Sequence, residues 1–134
     1  MIPFDFLVPK RPLSYQAKDG AHKAQWKEFV YGRAYATWKG LPVSQEYLRF
    51  CLVYLCEDDP PDINNIIKPV QDALNGLVYC DDNLVIDVQG HLRMVGDLID
   101  VTGLPRLLQD AIVGGVDCVY VRIDESKSLN KALQ

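Results

Sequence analysis

The chain has 134 residues, of which 49% are hydrophobic and 24% are charged. This length suits one domain with a real core rather than two, and the composition is that of a folded soluble protein, not of a disordered chain. A net charge of −4 would argue against a nucleic-acid partner if the charges were evenly spread, because phosphate binding depends on Lys and Arg.

The charges are not evenly spread along the chain. Residues 1–50 hold eight Lys or Arg against four Asp or Glu, residues 51–100 hold two against ten, and residues 101–134 hold four of each. A basic first part is therefore followed by an acidic second part and a neutral third. This asymmetry predicts that the first two parts serve different purposes.

The N-terminal sequence predicts neither a signal peptide nor a membrane anchor. The first residues, MIPFDFLVPKRP, contain no long apolar run behind basic residues, and no segment approaches the length of a membrane span. The cysteines form no CxxC pair, so a zinc site or a disulfide framework is not predicted. We therefore expect a cytoplasmic protein without a membrane partner.

The hydrophobic pattern predicts strands and helices in alternating order. The predicted elements are strands at 2–8, 47–56, 83–89 (running on towards Met94) and 118–123, and helices at 21–39, 65–77 and 104–111. The strand at 47–56 is apolar on both faces, which is typical of an interior strand. This order indicates an α+β (mixed α/β) fold, a single compact domain at 1–125 with helices packed on a mixed sheet, followed by a polar tail at 126–134 that frays.

The two longer helices are predicted from apolar residues that repeat at helical spacing. In the first helix these residues are Trp26, Val30, Ala34 and Trp38. In the second they are Ile66, Val70, Ala73, Leu74 and Leu77. Pro69 would disrupt a helix interior, so we expect the second helix to begin late, with Asn64 or Asn65 as its N-cap and Asn75-Gly76 as its end.

Polar side chains lie on both sides of the second helix, in the stretch DDPPDINNIIKPVQDALNGLVYCDD. Asp62 and Asn64 lie in the loop that enters the helix, Lys68 lies in its first turn, and Asp81 and Asp82 lie where the next strand begins. If the helix returns the chain to the sheet, these acids meet at one end of it. Carboxylates that converge repel each other, and a shared hard cation such as Mg²⁺ removes that repulsion.

The other polar residues of this stretch have supporting roles in the same hypothesis. Lys68 would contact a scissile phosphate or position an attacking water. Asn65 would orient a carboxylate or cap the helix, and Asp72, four residues after Lys68, would pair with its ammonium group. The residue pattern leaves a structural interpretation open, in which the acids are caps and turn residues and the lysine is solvated.

The run PDINNIIKPVQDALNGLVYCDDNLV resembles the signature of the RusA family of Holliday-junction resolvases. That signature reads Asp-x-Asp-Asn-x-x-Lys, then Asp-Ala-Leu-Asn-Gly, then a Tyr or Trp, then Asp-Asp before a hydrophobic strand, and it covers about a fifth of this chain. The resemblance implies a Mg²⁺-dependent endonuclease, with Mn²⁺ as an alternative cation. It also implies a homodimer that nicks four-way DNA junctions symmetrically in opposing strands.

The resemblance assigns roles residue by residue. It puts the metal-binding and catalytic carboxylates at Asp62 and Asp82, the essential lysine at Lys68 and a structural asparagine at Asn65. The family's other frequent aspartate falls on Asn64, which is a departure. An amide oxygen can bind a metal but brings no charge, so Asn64 predicts weaker cation binding and no general base at this position.

Basic residues in the first part of the chain are the candidate DNA contacts. Relatives usually carry Asn and Tyr after paired prolines in the first loop, whereas this chain offers Lys10, Arg11 and Tyr15 in PKRPLSYQ. Lys23 and Lys27, on the polar side of the first helix, join them, although a basic helix face is more often only solvated. The basic part would then bind the DNA backbone while the acidic part assembles the cation site.

Two other functions stay open at this point. The first is a DNA-junction-binding protein of the same fold with weak or absent catalysis, which Asn64 and the acidic balance favour. The second is a protein-interaction domain in which the acids are caps and exposed aromatic residues form a dimer surface. Residues 96–115 have no counterpart in the resemblance and are predicted to be an insertion.

Overall fold

A computed structural model describes residues 2–12 and 20–134. The helices and strands follow the predicted alternating order. They are β1 (Phe4–Val8), α1 (Gly20–Trp38), β2 (Leu48–Cys56), α2 (Asn64–Leu74), a 3₁₀ turn (Asp82–Leu84), β3 (Val85–Met94), α3 (Arg106–Gly114), β4 (Cys118–Glu125) and α4 (Leu129–Ala132). β3 takes the longer of the two predicted extents, and the one-turn helix α4 lies where the sequence predicts only a frayed tail.

The strands form one mixed sheet in the order β1-β4-β2-β3. β4 is antiparallel to both β1 and β2, and β3 is parallel to β2. The interior position predicted for β2 is confirmed, because β2 lies between β4 and β3. Parallel neighbours need a crossover connection, and α2 lies in that connection. The predicted α+β class with a mixed sheet is therefore confirmed.

The helices cover the two faces of the sheet unequally. Leu48, Phe50 and Leu52 of β2 belong to a large core that α1 and α2 share, whereas Val53 and Leu55 pack in a smaller cluster with α3. The predicted stripe of α1 is confirmed, because all four of its members are buried: Trp26, Val30, Ala34 and Trp38. No helix within 2–12 and 20–134 is long and apolar enough to cross a bilayer.

The N-terminus of α2 is held by Asp62. Its Oδ1 accepts a hydrogen bond from the backbone N–H of Asn64 at 3.1 Å, and its carbonyl oxygen accepts one from the N–H of Asn65 at 3.0 Å. Both asparagines therefore lie inside the first turn, and the prediction that one of them is the N-cap is wrong. Asp62 satisfies the backbone donors that an asparagine cap would otherwise take.

Pro69 lies inside α2 and not near its first turn as predicted. An interior proline costs roughly 3 kcal/mol because it lacks an N–H and crowds the preceding turn. Ile66, Val70 and Leu74 of the same helix are fully buried, and burying each such side chain contributes roughly 1.5–3 kcal/mol. The buried face therefore outweighs the cost of the proline and keeps the helix continuous.

Gly90 allows α2 to lie close to β3. A Cβ atom at this position would come 2.8 Å from Cδ1 of Ile67 and 3.3 Å from Cγ1 of Ile63, which is closer than carbon atoms normally approach. The absence of a side chain at Gly90 thus sets how near the helix lies to this edge of the sheet.

Candidate active site

Lys68 lies between two carboxylates that come from different segments. Its ammonium nitrogen is 3.0 Å from Oδ1 of Asp72, one helical turn later in α2. The same nitrogen is 3.4 Å from Oδ2 of Asp82, in the 3₁₀ turn before β3. The side chains of Lys68 and Asp82 are 48% and 42% exposed, so a ligand can reach the group from solvent.

The two carboxylates keep Lys68 charged. The hydrogen bond to Asp72, followed by that to Asp82, raises the pKa of the Lys68 ammonium above its ordinary value. A lysine with a raised pKa does not accept a proton at neutral pH and therefore cannot act as a general base. What it can do is bind an anionic oxygen, such as that of a phosphodiester.

Asp81 and Asp82 form an adjacent pair of acids. The neighbouring Asp81 carboxyl, which can donate to Asp82 when it is protonated, and then the Lys68 ammonium lower the pKa of the Asp82 carboxyl. Asp82 is therefore ionised at neutral pH. The Oδ1 atom of Asp81 also accepts a hydrogen bond from the backbone N–H of Asn83 at 3.2 Å, which fixes the turn that carries both acids.

The segment between α2 and β3 is anchored by Tyr79. The Tyr79 ring is buried and its hydroxyl donates a hydrogen bond to the carbonyl oxygen of Gln71 at 2.7 Å. Burial, with smaller contributions from Asp82 and Asp72, raises the pKa of the Tyr79 hydroxyl, so it stays a hydrogen-bond donor. Ser44 also pairs with this segment through backbone bonds on both sides of Tyr79. These contacts hold the turn with Asp82 against α2.

Asp62 and Asn64 lie at the other end of the candidate site. Both are exposed, and Asp62 precedes Lys68 by six residues, about 9 Å along a helix axis. Among residues 2–12 and 20–134, neither a hydrogen bond nor an ion pair joins Asp62 to Lys68 or Asp82. The predicted meeting of acids from the two sides of α2, Asp62 with Asp81 and Asp82, therefore stays a prediction.

The donor groups suit a cation that is only partly held by protein. No group of three or more His, Cys, Asp or Glu side chains able to hold a metal occurs in the part of the chain that the structure describes. Mg²⁺ is often bound by one or two carboxylates, with water and substrate phosphates completing its shell. The exposed, ionised Asp82 beside Asp81 fits that mode, whereas a closed protein cage does not fit here.

Most of the candidate DNA contacts lie on or near α1. Lys27 is exposed on the helix. The Lys10 ammonium lies 5.1 Å from the centre of the Phe29 ring, a cation–π distance. Lys23 has contacts of its own within the protein, and Tyr15 lies outside the described residues.

The Arg11 side chain binds other residues of the protein. Its guanidinium donates to the backbone carbonyl oxygens of Asp58 and Asp59, at 2.8 and 2.5 Å, and lies 3.4 Å from Oδ2 of Asp117. These contacts tie the loop after β1 to the acidic loop after β2. The sequence does not reveal this use, because the partners are 47 and 106 residues away, and DNA binding by Arg11 stays a prediction.

A groove between α1 and α2 was not evident from the sequence. It has a volume of about 340 Å³ and is lined by Lys27, Glu28, Tyr31, Asp72, Ala73 and Asn75. Asp72 is the carboxylate that binds Lys68, so the groove adjoins the candidate site. The repeat of Lys27, Tyr31 and Tyr35 at intervals of four was the signal that could have revealed it, because such residues share one helix face.

A second pocket, of about 370 Å³, lies between the opposite face of the sheet and α3. Its wall includes Val53, Leu55, Leu108 and Ile112 and is mainly apolar. None of the described candidate site residues lines it. The candidate chemistry is therefore confined to the face that carries α1 and α2.

Comparison with known proteins identifies the family of the chain. A family model described as Endodeoxyribonuclease RusA matches residues 17–103, while a search of curated proteins found no match. The matched range covers more than half of the chain and contains the groove, Lys68 and both of the acids at the 3₁₀ turn. The chain therefore belongs to the RusA endodeoxyribonuclease family.

Proposed function

We propose that this protein is a Mg²⁺-dependent, structure-selective endodeoxyribonuclease that resolves four-way DNA junctions in recombination and repair. Mn²⁺ is the alternative cation, and the cytoplasm is the proposed location. Family membership supports phosphodiester hydrolysis in DNA. The observation that carries the proposal is the Lys68 ammonium held between Asp72 and Asp82, inside the range that matches the family.

Each acid of the site has a proposed task. Asp62 and Asp82 are the metal-binding carboxylates, with Asn64 as a neutral ligand. A bound divalent cation would stabilise negative charge on a phosphate oxygen and lower the pKa of a coordinated water. Asp82 suits its task because its lowered pKa keeps it ionised, and Asp81 supports it by fixing the turn.

Lys68 is the proposed contact to the scissile phosphate. Its charge is aimed at the oxygen on which negative charge develops, which is the commonest way for an enzyme to lower such a barrier. Asp72 acts as a positioning residue that fixes the ammonium group from within the same helix. Asn65, half-buried in the first turn, supports the loop that carries Asp62.

A homodimer explains paired symmetric nicks. A four-way junction has two equivalent strands to cut, and two copies related by a twofold axis present one site to each strand. A single copy carries one Lys68 and would release nicked junctions instead of resolved duplexes.

One assay tests the proposal. Purified protein is incubated with a synthetic four-way junction and with a linear duplex, each labelled on one strand at a time, with Mg²⁺ or with EDTA. We expect nicks at symmetric positions in two opposing strands of the junction, and only with the metal. Asp82→Asn should lose this activity, whereas Asp110→Asn, the same change on exposed α3, should retain it.

Equal cleavage of the linear duplex would contradict structure selectivity. Cleavage that survives in Asp82→Asn would contradict the assigned role of this carboxylate. Nicks in one strand only, from a protein that sediments as a monomer, would contradict the dimeric mechanism.

A second candidate function is junction binding without efficient cleavage. The observation that favours it is Asn64, which supplies no charge where the family frequently has an aspartate. This alternative predicts tight junction binding, no product with Mg²⁺ or Mn²⁺, and gain of cleavage in Asn64→Asp.

A further inference from the structure

Lysines and tyrosines recur at every fourth position along α1 and just beyond its end, and together they are called the row here. Its members are Lys23, Lys27, Tyr31 and Tyr35 of the helix, and Lys39, which follows its last residue. The rings of Tyr31 and Tyr35 stack on each other, with centroids 6.2 Å apart and planes 17° apart. They are nevertheless 46% and 51% exposed, although α1 buries its two tryptophans in the core.

The groove between α1 and α2 joins this row to the candidate active site. Tyr31 and Lys27 form its α1 side, and Asp72 and Asn75 belong to its α2 side. Because Asp72 Oδ1 is 3.0 Å from the Lys68 ammonium, the groove leads from Tyr31 past Asp72 to Lys68. Tyr35, which stacks on Tyr31, extends this surface away from the site.

The charges along this path nearly cancel. Lys27 and Glu28 line the groove together, and Lys68 neutralises Asp72. A groove with so little net charge gains little from counterion release, the usual source of non-specific DNA binding, beyond what a contact of Lys27 with a phosphate adds. The aromatic rings are therefore the groups here that offer most of the attractive surface, and the faces of unpaired bases are the part of DNA that stacks on them.

We propose that Tyr31 and Tyr35 stack with bases that are unpaired at the branch point of a DNA junction. Lys27 and Lys39, on either side of the rings, bind the phosphates of the same strand segment. The groove then leads the strand to Lys68 and Asp82. This inference rests on the proposed function, since it gives the nuclease site a way to select branched DNA over fully paired duplex.

The occupant argued here is DNA rather than a second protein copy. The flanking lysines complement a phosphate backbone, and the groove continues directly into a site that the family relationship associates with DNA cleavage. An aromatic surface covered by another copy of the chain would need no connection to Lys68.

The test measures binding without cleavage. Junction and duplex of equal length are labelled, and their affinities are measured in EDTA at low and moderate salt for wild type, Tyr31→Leu/Tyr35→Leu and Tyr31→Phe/Tyr35→Phe. Tyr47→Leu is the matched control, because Tyr47 is also exposed (61%) but lies outside the row. Thermal unfolding of each variant checks its fold.

The leucine pair should weaken junction binding by about tenfold or more, because each stacked base contributes roughly 1–3 kcal/mol. Duplex binding, the phenylalanine pair and Tyr47→Leu should stay within about twofold of wild type, since the ring and not the hydroxyl provides stacking. The loss should be similar at both salt concentrations, unlike the loss in Lys27→Gln, because stacking releases no counterions.

A second readout needs no variant. A junction with 2-aminopurine at the branch point should change its fluorescence when the wild-type protein binds, because stacking on a ring quenches the base. Unaltered fluorescence at saturation would overturn the inference, as would a leucine pair that binds the junction like wild type. A leucine pair that turns a dimer into a monomer would overturn it too, and would assign the rings to a protein contact.

The experiments distinguish failure of the stacking proposal from failure of the proposed nuclease activity. If wild type nicks junctions and the leucine pair binds them normally, only the stacking surface is lost. If wild type never nicks, yet the leucine pair binds junctions weakly, the stacking surface stands and the protein is a junction-binding protein.

Discussion

α2 and α3 each carry an ion pair between residues four apart, yet only α2 builds a candidate site. In α3, Arg106 Nε lies 3.1 Å from Asp110 Oδ1, and the two side chains are 85% and 63% exposed. In α2, Lys68 binds Asp72 at a similar distance and also reaches Asp82, beyond the end of the helix. An ion pair within one helix only holds a charged side chain in place. The contact with Asp82, from a distant segment, is what makes Lys68 part of a candidate site.

The largest expected effect on DNA cleavage comes from removing Lys68, the lysine of the ion pair in α2. Lys68→Gln should lower single-turnover junction nicking by about 100-fold or more, the usual cost of deleting one transition-state donor. Arg106→Gln, the equivalent change in α3, should leave the rate unchanged. Similar losses in both variants would show that the two pairs are not functionally different.

The packing of the two helices should also respond differently. Gly90→Val should lower the free energy of unfolding by about 1–3 kcal/mol, because the new side chain meets Ile67 of α2 and Ile63 just before it. Gly114→Ala in α3, where a Cβ meets nothing within 4 Å, should raise it by about 0.5 kcal/mol. Urea unfolding measures both. Adding Ile67→Ala to Gly90→Val should restore part of the loss, and an unchanged loss would rule out that contact as its cause.

A substitution at the N-terminus of α2 should strengthen metal binding. Asn64→Asp adds a carboxylate beside Asp62, and a charged ligand binds Mg²⁺ more tightly, so half-maximal nicking should need about tenfold less Mg²⁺. Asn130→Asp in α4 is the matched control and should leave the Mg²⁺ requirement unaltered. Unchanged metal dependence in Asn64→Asp would mean that this side chain does not face the cation.

Titration of the Asp82 carboxyl tests its contact with Lys68 directly. Its pKa is lowered in the folded protein, so the contact contributes stability above the unfolded pKa of about 3.9 and loses it as pH falls through the lower folded pKa. In ¹³C NMR the Asp82 carboxyl should titrate below the ordinary aspartate value. In Lys68→Gln the midpoint should move up, and an unmoved midpoint would contradict the Lys68–Asp82 contact.

The smallest expected effect is on stability, from the isolated ion pair between Arg106 and Asp110 in α3. A double-mutant cycle on Arg106 and Asp110 should give a coupling free energy of about 0.3–0.5 kcal/mol that disappears in high salt, as for other exposed helical pairs. A coupling of several kcal/mol would remove the contrast between the two helices.

Features that depend on nearby residues could be predicted from the sequence. The order of elements, the buried stripe of α1 and the interior position of β2 follow from apolar spacing. The pair between Lys68 and Asp72 follows from their separation of one helical turn. The end of α2 at Asn75-Gly76 also agrees, since Gly76 has a φ of 84°, which glycine adopts readily.

Features that depend on distant residues could not be predicted. The start of α2 was misplaced because burial of Ile66 and Val70 overrides the effect of Pro69. The contact of Arg11 with Asp58 and Asp117 joins three separate loops, and no spacing rule connects them. The approach of Asp82 to Lys68 was expected only on the assumption that the second helix returns the chain to the sheet, and its detail depends on how Tyr79 anchors the intervening segment.

The parallel pairing of β2 with β3 bears on how the proposed site is assembled during folding. That pairing aligns Leu48 with Val85, and closing a stretch of chain of this length costs loop entropy before the contact forms. Lys68 and Asp82 both lie on the intervening stretch. Because Asp82 lies in the turn directly before β3, we expect a partly folded chain without this strand pairing to lack the assembled site, even though it carries both residues.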